Sequence, residues 1–120
     1  MTTQTLTIPN IPKSLNELFK LGGFGRNRHK NDILGEVFLE IKRQKIKPII
    51  GVVSLVYELT FEKRRARDLD NFIAGTKYWT DALRKAKIIA EDNSEVLKAI
   101  SVEFKQGEKL QTIIRIIGNV

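Results

Sequence analysis

Ile49-Ile50-Gly51-Val52-Val53-Ser54-Leu55-Val56-Tyr57-Glu58-Leu59-Thr60-Phe61 is the stretch that decides the fold. Val53, Leu55, Tyr57, Leu59 and Phe61 recur at every second residue, opposite Ser54, Glu58 and Thr60. That is the period of a strand with one face on a core and one toward water. Such a strand needs other strands beside it and helices over its apolar face. Upstream, Thr2 to Ile8 alternates in the same way and stops at Pro9. Downstream, Leu97 to Lys105 alternates through Ile100, Val102 and Phe104, and Leu110 to Ile117 is rich in isoleucine and threonine. Gln106-Gly107-Glu108 between these two runs predicts a turn that joins them as a hairpin.

Two segments have a helical period. Asn31 or Asp32 can cap a helix in which Ile33, Val37, Phe38 and Ile41 fall on one face, with Glu36, Glu40 and Arg43 toward water and Lys47-Pro48 as its end. A second helix runs from the Asp68-Leu69-Asp70-Asn71 stretch to about Lys87, with Trp79, Leu83 and Ala86 on one face and Gly75 weakening its first turn. Asn10 to Lys30 contains Pro12, Gly22, Gly23 and Gly25 without a sustained period, and reads as a long functional loop. The expectation is one α/β (α+β) domain over residues 1–120 in the order β-α-β-α-β-β, with two helices packed on a mixed four-stranded sheet. A chain of 120 residues with 42% hydrophobic residues is the right size for a single core.

Composition narrows the chemistry. With no cysteine and a single histidine, disulfide frameworks, thiol catalysis and thiolate metal sites are excluded. The 21 lysines and arginines against 14 acids leave a net charge of +7, which points to nucleic acid. Much of the excess sits in two clusters: Arg26, Arg28 and Lys30 beside His29, and Lys63, Arg64, Arg65 and Arg67. Clusters of this kind bind phosphates with release of counterions, and a merely solvated basic surface is the plainer alternative. No apolar run approaches the roughly 18 residues of a membrane span, and the N-terminus has no signal-peptide pattern, so a cytoplasmic protein is expected, with no membrane partner and no small-molecule cofactor.

Asp68 and Asp70 lie at the end of the long strand, and if the extended conformation persists, both carboxylates point the same way. Hard cations such as Mg²⁺ take one or a few carboxylates, with water and substrate phosphate completing the octahedron. The competing reading is that Asp70 or Asn71 caps the next helix while Asp68 pairs with a neighbouring arginine. The basic run beside the two acids favours the metal, because metal-assisted phosphodiester hydrolysis requires phosphate-binding charge next to metal-binding charge. The Glu91-Asp92-Asn93-Ser94-Glu95 cluster can return a third ligand, Asp92, or be a polar turn. Lys77 lies within two helical turns of Asp70 and can stabilise an oxyanion there, or pair with Asp81 four residues on. Trp79 reads as core or dimer interface rather than a platform for a base.

Taken in order, Arg64-Arg65-Ala66-Arg67-Asp68-Leu69-Asp70-Asn71, Lys77, Asp81-Ala82-Leu83 and Glu91-Asp92 resemble the RusA family of Holliday junction resolvases. The likeness is densest from Arg64 to Val96 and reaches more loosely to Leu6–Pro12 and the final strands. It implies catalytic carboxylates Asp68, Asp70 and Asp92 that bind Mg²⁺, with Mn²⁺ as a substitute, and an essential Lys77. Glu91 stands where the family usually has aspartate. The family's lysine usually follows the asparagine by three residues, a position held here by Ala74, so Lys77 is reached by three extra residues. The resemblance further implies a homodimer that binds four-way junction DNA and resolves it by paired symmetric nicks, in DNA recombination and repair, and its small size suggests a phage or prophage origin. Arg26, Arg28, Lys30, Arg64, Arg65 and Arg67 would hold phosphates, and Phe24 with its basic neighbours would enter the open centre of the junction. A DNA-binding accessory protein that cuts poorly is the alternative from another class, since fold alone does not fix activity.

Overall fold

The structure is a computed structural model that describes residues 1–63 and 66–120. Arg64 and Arg65 therefore lie outside the described residues. The chain runs β1 (Thr2–Ile8), α1 (Leu15–Lys20), α2 (Gly22–Gln44), β2 (Ile50–Phe61), α3 (Leu69–Gly75), α4 (Lys77–Lys85), β3 (Leu97–Gln106) and β4 (Gln111–Asn119). The four strands form one mixed sheet in the order β1-β4-β2-β3. This is the α+β architecture with a four-stranded mixed sheet that the periodicity implied.

The two-residue period places the core where the sequence put it. Leu6, Ile8, Val53, Leu55, Tyr57, Leu59, Phe61, Ile114 and Ile116 form the sheet's buried face, against Ile33 and Val37 of α2 and Trp79, Ala82 and Leu83 of α4. Register brings these residues together, with Leu6 opposite Ile114 and Leu55 opposite Ile116. Tyr57 and Thr80 bring their hydroxyls to 2.7 Å inside this core, and burial pushes the Tyr57 phenol well above its ordinary pKa.

Four expectations are corrected. First, the helices number four among the described residues, in two broken pairs. Residues 10–30 are mostly helical rather than a loop, because Ser14 opens a capping box: its hydroxyl accepts from Glu17 N and the Glu17 carboxylate accepts from Ser14 N. α2 therefore starts at Gly22, not at Asn31, and Arg26, Arg28 and Lys30 ride on its first turns. Second, α2 ends at Gln44 with Lys45 in the left-handed region (φ 56°), before Lys47-Pro48 is reached. Third, Phe38 of that helix is exposed and Glu40 is buried, at 6% exposure, the reverse of the expected faces. Glu40 accepts from the Gln44 amide, which is itself clamped on β1: Gln44 Oε1 accepts from Thr7 N at 2.9 Å and Nε2 donates to Thr7 O at 2.7 Å.

Fourth, β3 and β4 are not a hairpin pair. Both flank β2, β3 in parallel and β4 antiparallel, so the turn at Gly107 carries the chain past β2. The apolar period of β2 is equally served by either partner, and only the topology decides. Gly107 N donates to Phe61 O at 3.0 Å, which fastens the turn to the end of β2.

Candidate functional site

Helices α2, α3 and α4 and the segments after β2 and before β3 carry the candidate residues. At the exit of β2, Arg67 lays its guanidinium over the Phe61 ring, 3.7 Å from its centroid, and donates to Lys63 O. Phe61, Phe72 and Phe104 meet one another edge to face beneath it, with centroids 5.5–5.7 Å apart. Arg67 thereby ties the basic run to the sheet while keeping its charge, in a stacking geometry that suits a planar guanidinium.

Asp68 is extended (φ −86°, ψ 108°) and is the N-cap of α3. Its Oδ1 accepts from Asp70 N at 3.2 Å and its Oδ2 from Asn71 Nδ2 at 3.3 Å. The extended conformation thus stops at Asp68, and Asp70 lies in the first helical turn. Asp68, rather than Asp70 or Asn71, is the capping residue. Both carboxylates are exposed, and a helix N-terminus tolerates two acids because its free N–H groups carry partial positive charge.

The three residues that separate Lys77 from the family's usual spacing have a defined shape. Gly75 is buried, and a Cβ there would collide with the carbonyl oxygen of Lys13 in the segment entering α1. Thr76 then joins two helices: its N–H donates to Phe72 O and Ile73 O, its hydroxyl to Ile73 O at 2.7 Å, and its carbonyl accepts from Trp79 N and Thr80 N. Lys77 is the first residue of α4 and is exposed. Trp79 is fully buried in the core, with its indole N–H unpartnered, so its part is packing.

Lys77, Asp81, Asp92 and Arg26 line one cleft of about 520 Å³, whose remaining wall is mostly apolar, including Phe19 and Ile100, with Thr76, Tyr78 and Thr80 among it. The structure therefore brings three expected residues together, Lys77, Asp92 and Arg26. Asp68 and Asp70, at the start of α3, are not among the residues that line this cleft. Among the described residues, no three acidic or histidine side chains gather closely enough to hold one metal ion. The donor chemistry of Asp68 and Asp70 fits a hard cation that keeps water and phosphate ligands; Asp92 does not join them. Glu91 is exposed in the loop before β3.

The basic cluster on α2 is divided by its helix. Arg26 and Lys30 are one turn apart on one face and half-buried, whereas Arg28 points elsewhere and is exposed. Phe24, in the first turn, is 86% exposed. Sequence reasoning missed α1, whose Leu15 and Phe19 supply part of the cleft, and the signal that reveals it is Ser14-Leu15-Asn16-Glu17, a capping box ahead of an apolar pair. It also missed the aromatic triad, which joins residues far apart in the chain.

No helix among the described residues is long and apolar enough to cross a membrane. No protein-family model matches the chain, and no curated protein matches it.

Proposed function

We propose that the chain is a Mg²⁺-dependent, structure-selective DNA endonuclease of RusA type, phage-encoded, that resolves four-way junctions as a homodimer by paired symmetric nicks in recombination and repair. The observation that carries this reading is the placement of two exposed carboxylates, Asp68 and Asp70, directly after a basic run whose Arg67 is stacked on the sheet. Asp68 and Asp70 would hold the cation, which when bound supplies activation of water and neutralisation of charge at the phosphate. Lys77 presents an ammonium from the fixed start of α4, where it serves as a donor to charge developing on a phosphate oxygen. Arg67 and the cations of α2 contact phosphates rather than base edges, so binding follows DNA shape instead of sequence.

A DNA-binding accessory role is the second reading, favoured by one observation: Asp92 does not gather with Asp68 and Asp70 into a three-acid group among the described residues. One assay separates the two. A mobile four-way junction and a linear duplex of the same sequence are each mixed with the protein, with and without Mg²⁺ or Mn²⁺, alongside Asp70→Asn. The nuclease reading expects paired nicks in the junction alone that need metal and vanish in the variant. The same variant should bind the junction as tightly or more tightly, because it removes a negative charge from a phosphate-facing site. Junction binding without cutting by the unaltered protein makes it an accessory factor.

A further inference from the structure

The two edges of the sheet differ in a way that assigns a contact surface. The β1 edge is occupied. The Gln44 amide takes both the N–H and the C=O of Thr7, as a neighbouring strand would, and the Gln4 amide exchanges the same pair of bonds with Lys47, at 2.7 and 2.8 Å. Both glutamines fasten the end of α2 alongside β1, and a further strand is shut out there.

The β3 edge carries no such device among the described residues. Leu55, Tyr57 and Leu59 stand in register with Ile100, Val102 and Phe104, and the last rung is Gly107 N to Phe61 O. A parallel ladder bonds each of these β2 residues to the neighbours of its partner. The N–H and C=O groups of Ile100, Val102 and Phe104 therefore point outward. Beside them the surface is apolar: Ile100 is 43% exposed, Phe19 67% and Ile73 44%, and all three line the cleft described above. Exposed apolar side chains that continue an open strand edge mark a surface meant to be covered.

We propose that a second copy of this chain covers it, through antiparallel pairing of the two β3 strands about a two-fold axis at Val102. The occupant follows from self-complementarity. With Val102 opposite Val102 of the partner subunit, Ile100 meets Phe104 of the partner subunit and Phe104 meets Ile100 of the partner subunit. Every outward N–H then faces an outward C=O. The side chains of all three residues share the helix-bearing face, so the apolar strip extends across the axis without a break in alternation. Val102 is near the middle of Leu97–Gln106, so this register overlaps nearly the whole strand. The result is one continuous eight-stranded sheet, closed by a two-fold axis as an isologous interface requires. This deepens the homodimer of the proposed function by giving it a surface, and it rests on that reading only for the dimer, not for the chemistry.

The absence of cysteine from the chain makes the test clean. Directly opposed residues of this type of pair have Cα atoms about 5.5 Å apart, within the range of a disulfide. In the full chain, Val102→Cys is expected to form a disulfide-linked dimer on mild oxidation, while Thr5→Cys on the opposite edge stays unlinked. Val102→Pro removes an outward N–H and leaves the bonds to β2 in place, so it is expected to give a folded monomer by light scattering, with the circular dichroism spectrum unchanged. A monomeric unaltered protein overturns the proposal, as does a dimer that persists in Val102→Pro or links no better through Val102→Cys than through Thr5→Cys. A dimer that behaves as expected but cuts no junction leaves this interface standing and defeats the nuclease reading alone. A monomer that cuts does the reverse.

Discussion

The two ends of α3 are built on opposite principles, although only seven residues make up the helix. At its start Asp68 and Asp70 are exposed, and the cap is held by two long bonds of 3.2 and 3.3 Å. At its end Gly75 and Thr76 are buried, one pressed on the Lys13 carbonyl and the other bonded to both flanking helices. The difference teaches how a small domain divides its tasks. The buried end is over-determined and fixes where Lys77 emerges, since Lys77 follows Thr76 directly. The exposed end is held lightly enough for its carboxylates to meet a ligand.

The largest expected effect breaks the fixed end. Gly75→Ala drives a Cβ into the Lys13 backbone, which cannot swing away as a flexible side chain would. Overpacking of this kind costs roughly 1–3 kcal/mol, and a clash with backbone belongs at the upper end. Gly35→Ala, inside α2, is the contrast, because a Cβ there meets nothing within 4 Å. It should stabilise by about 0.4–1 kcal/mol through the unfolded chain. Urea unfolding of both variants is expected to give opposite signs; equal signs would mean that the wedge at Gly75 is no constraint.

A smaller effect probes the exposed end and splits its two roles. Asp68→Ala removes the cap of α3 and should cost about 1 kcal/mol. Asp68→Asn keeps an acceptor for Asp70 N and should leave stability nearly unchanged, since asparagine caps as well as aspartate. Under the proposed function both variants lose junction cleavage, because neither retains the charge. Full cleavage by Asp68→Asn would reduce Asp68 to a cap and move the metal elsewhere.

The same two ends show what was legible in advance. β2 was readable because a single half-buried strand repeats its burial every second residue, and the core from Val53 to Phe61 followed directly. Partner choice was not readable: the apolar face of β2 says nothing about whether β3 or β4 lies on a given side, so a hairpin between the last two strands was the natural and incorrect inference. Residues 10–30 were misread because three glycines lower helix propensity, which tertiary contacts overrode; the Ser14–Glu17 capping box was the stronger local signal. At the site, the residue types around Asp68 were legible but their conformation was not, since a D-x-D continues a strand or caps a helix with equal chemistry. The shape of Gly75-Thr76 depends on the Lys13 backbone, about sixty residues away in sequence, and no local pattern carries that information.

The smallest effect returns to the fixed end through His29. Its ring packs edge to face on Tyr78, next to Lys77, with centroids 5.8 Å apart, and its Nε2 is buried without a hydrogen-bond partner. Burial first, and then the nearby Lys13 ammonium, hold its pKa below the ordinary 6.5, while Asp32 and Glu17 oppose the shift more weakly. A folded-state pKa below the unfolded one means that the unfolded chain binds more protons in the window between them. This contribution to stability is therefore complete above 6.5, declines as the pH falls toward the folded value, and then levels. His29→Gln should flatten that part of the stability profile relative to the unaltered protein. Lys13→Gln tests the same contact from the other side. It removes the ammonium but keeps the carbonyl against Gly75, so the slope should become shallower while stability at neutral pH holds. Parallel profiles for the unaltered protein and His29→Gln would show that proton uptake at this position does not separate the folded from the unfolded chain.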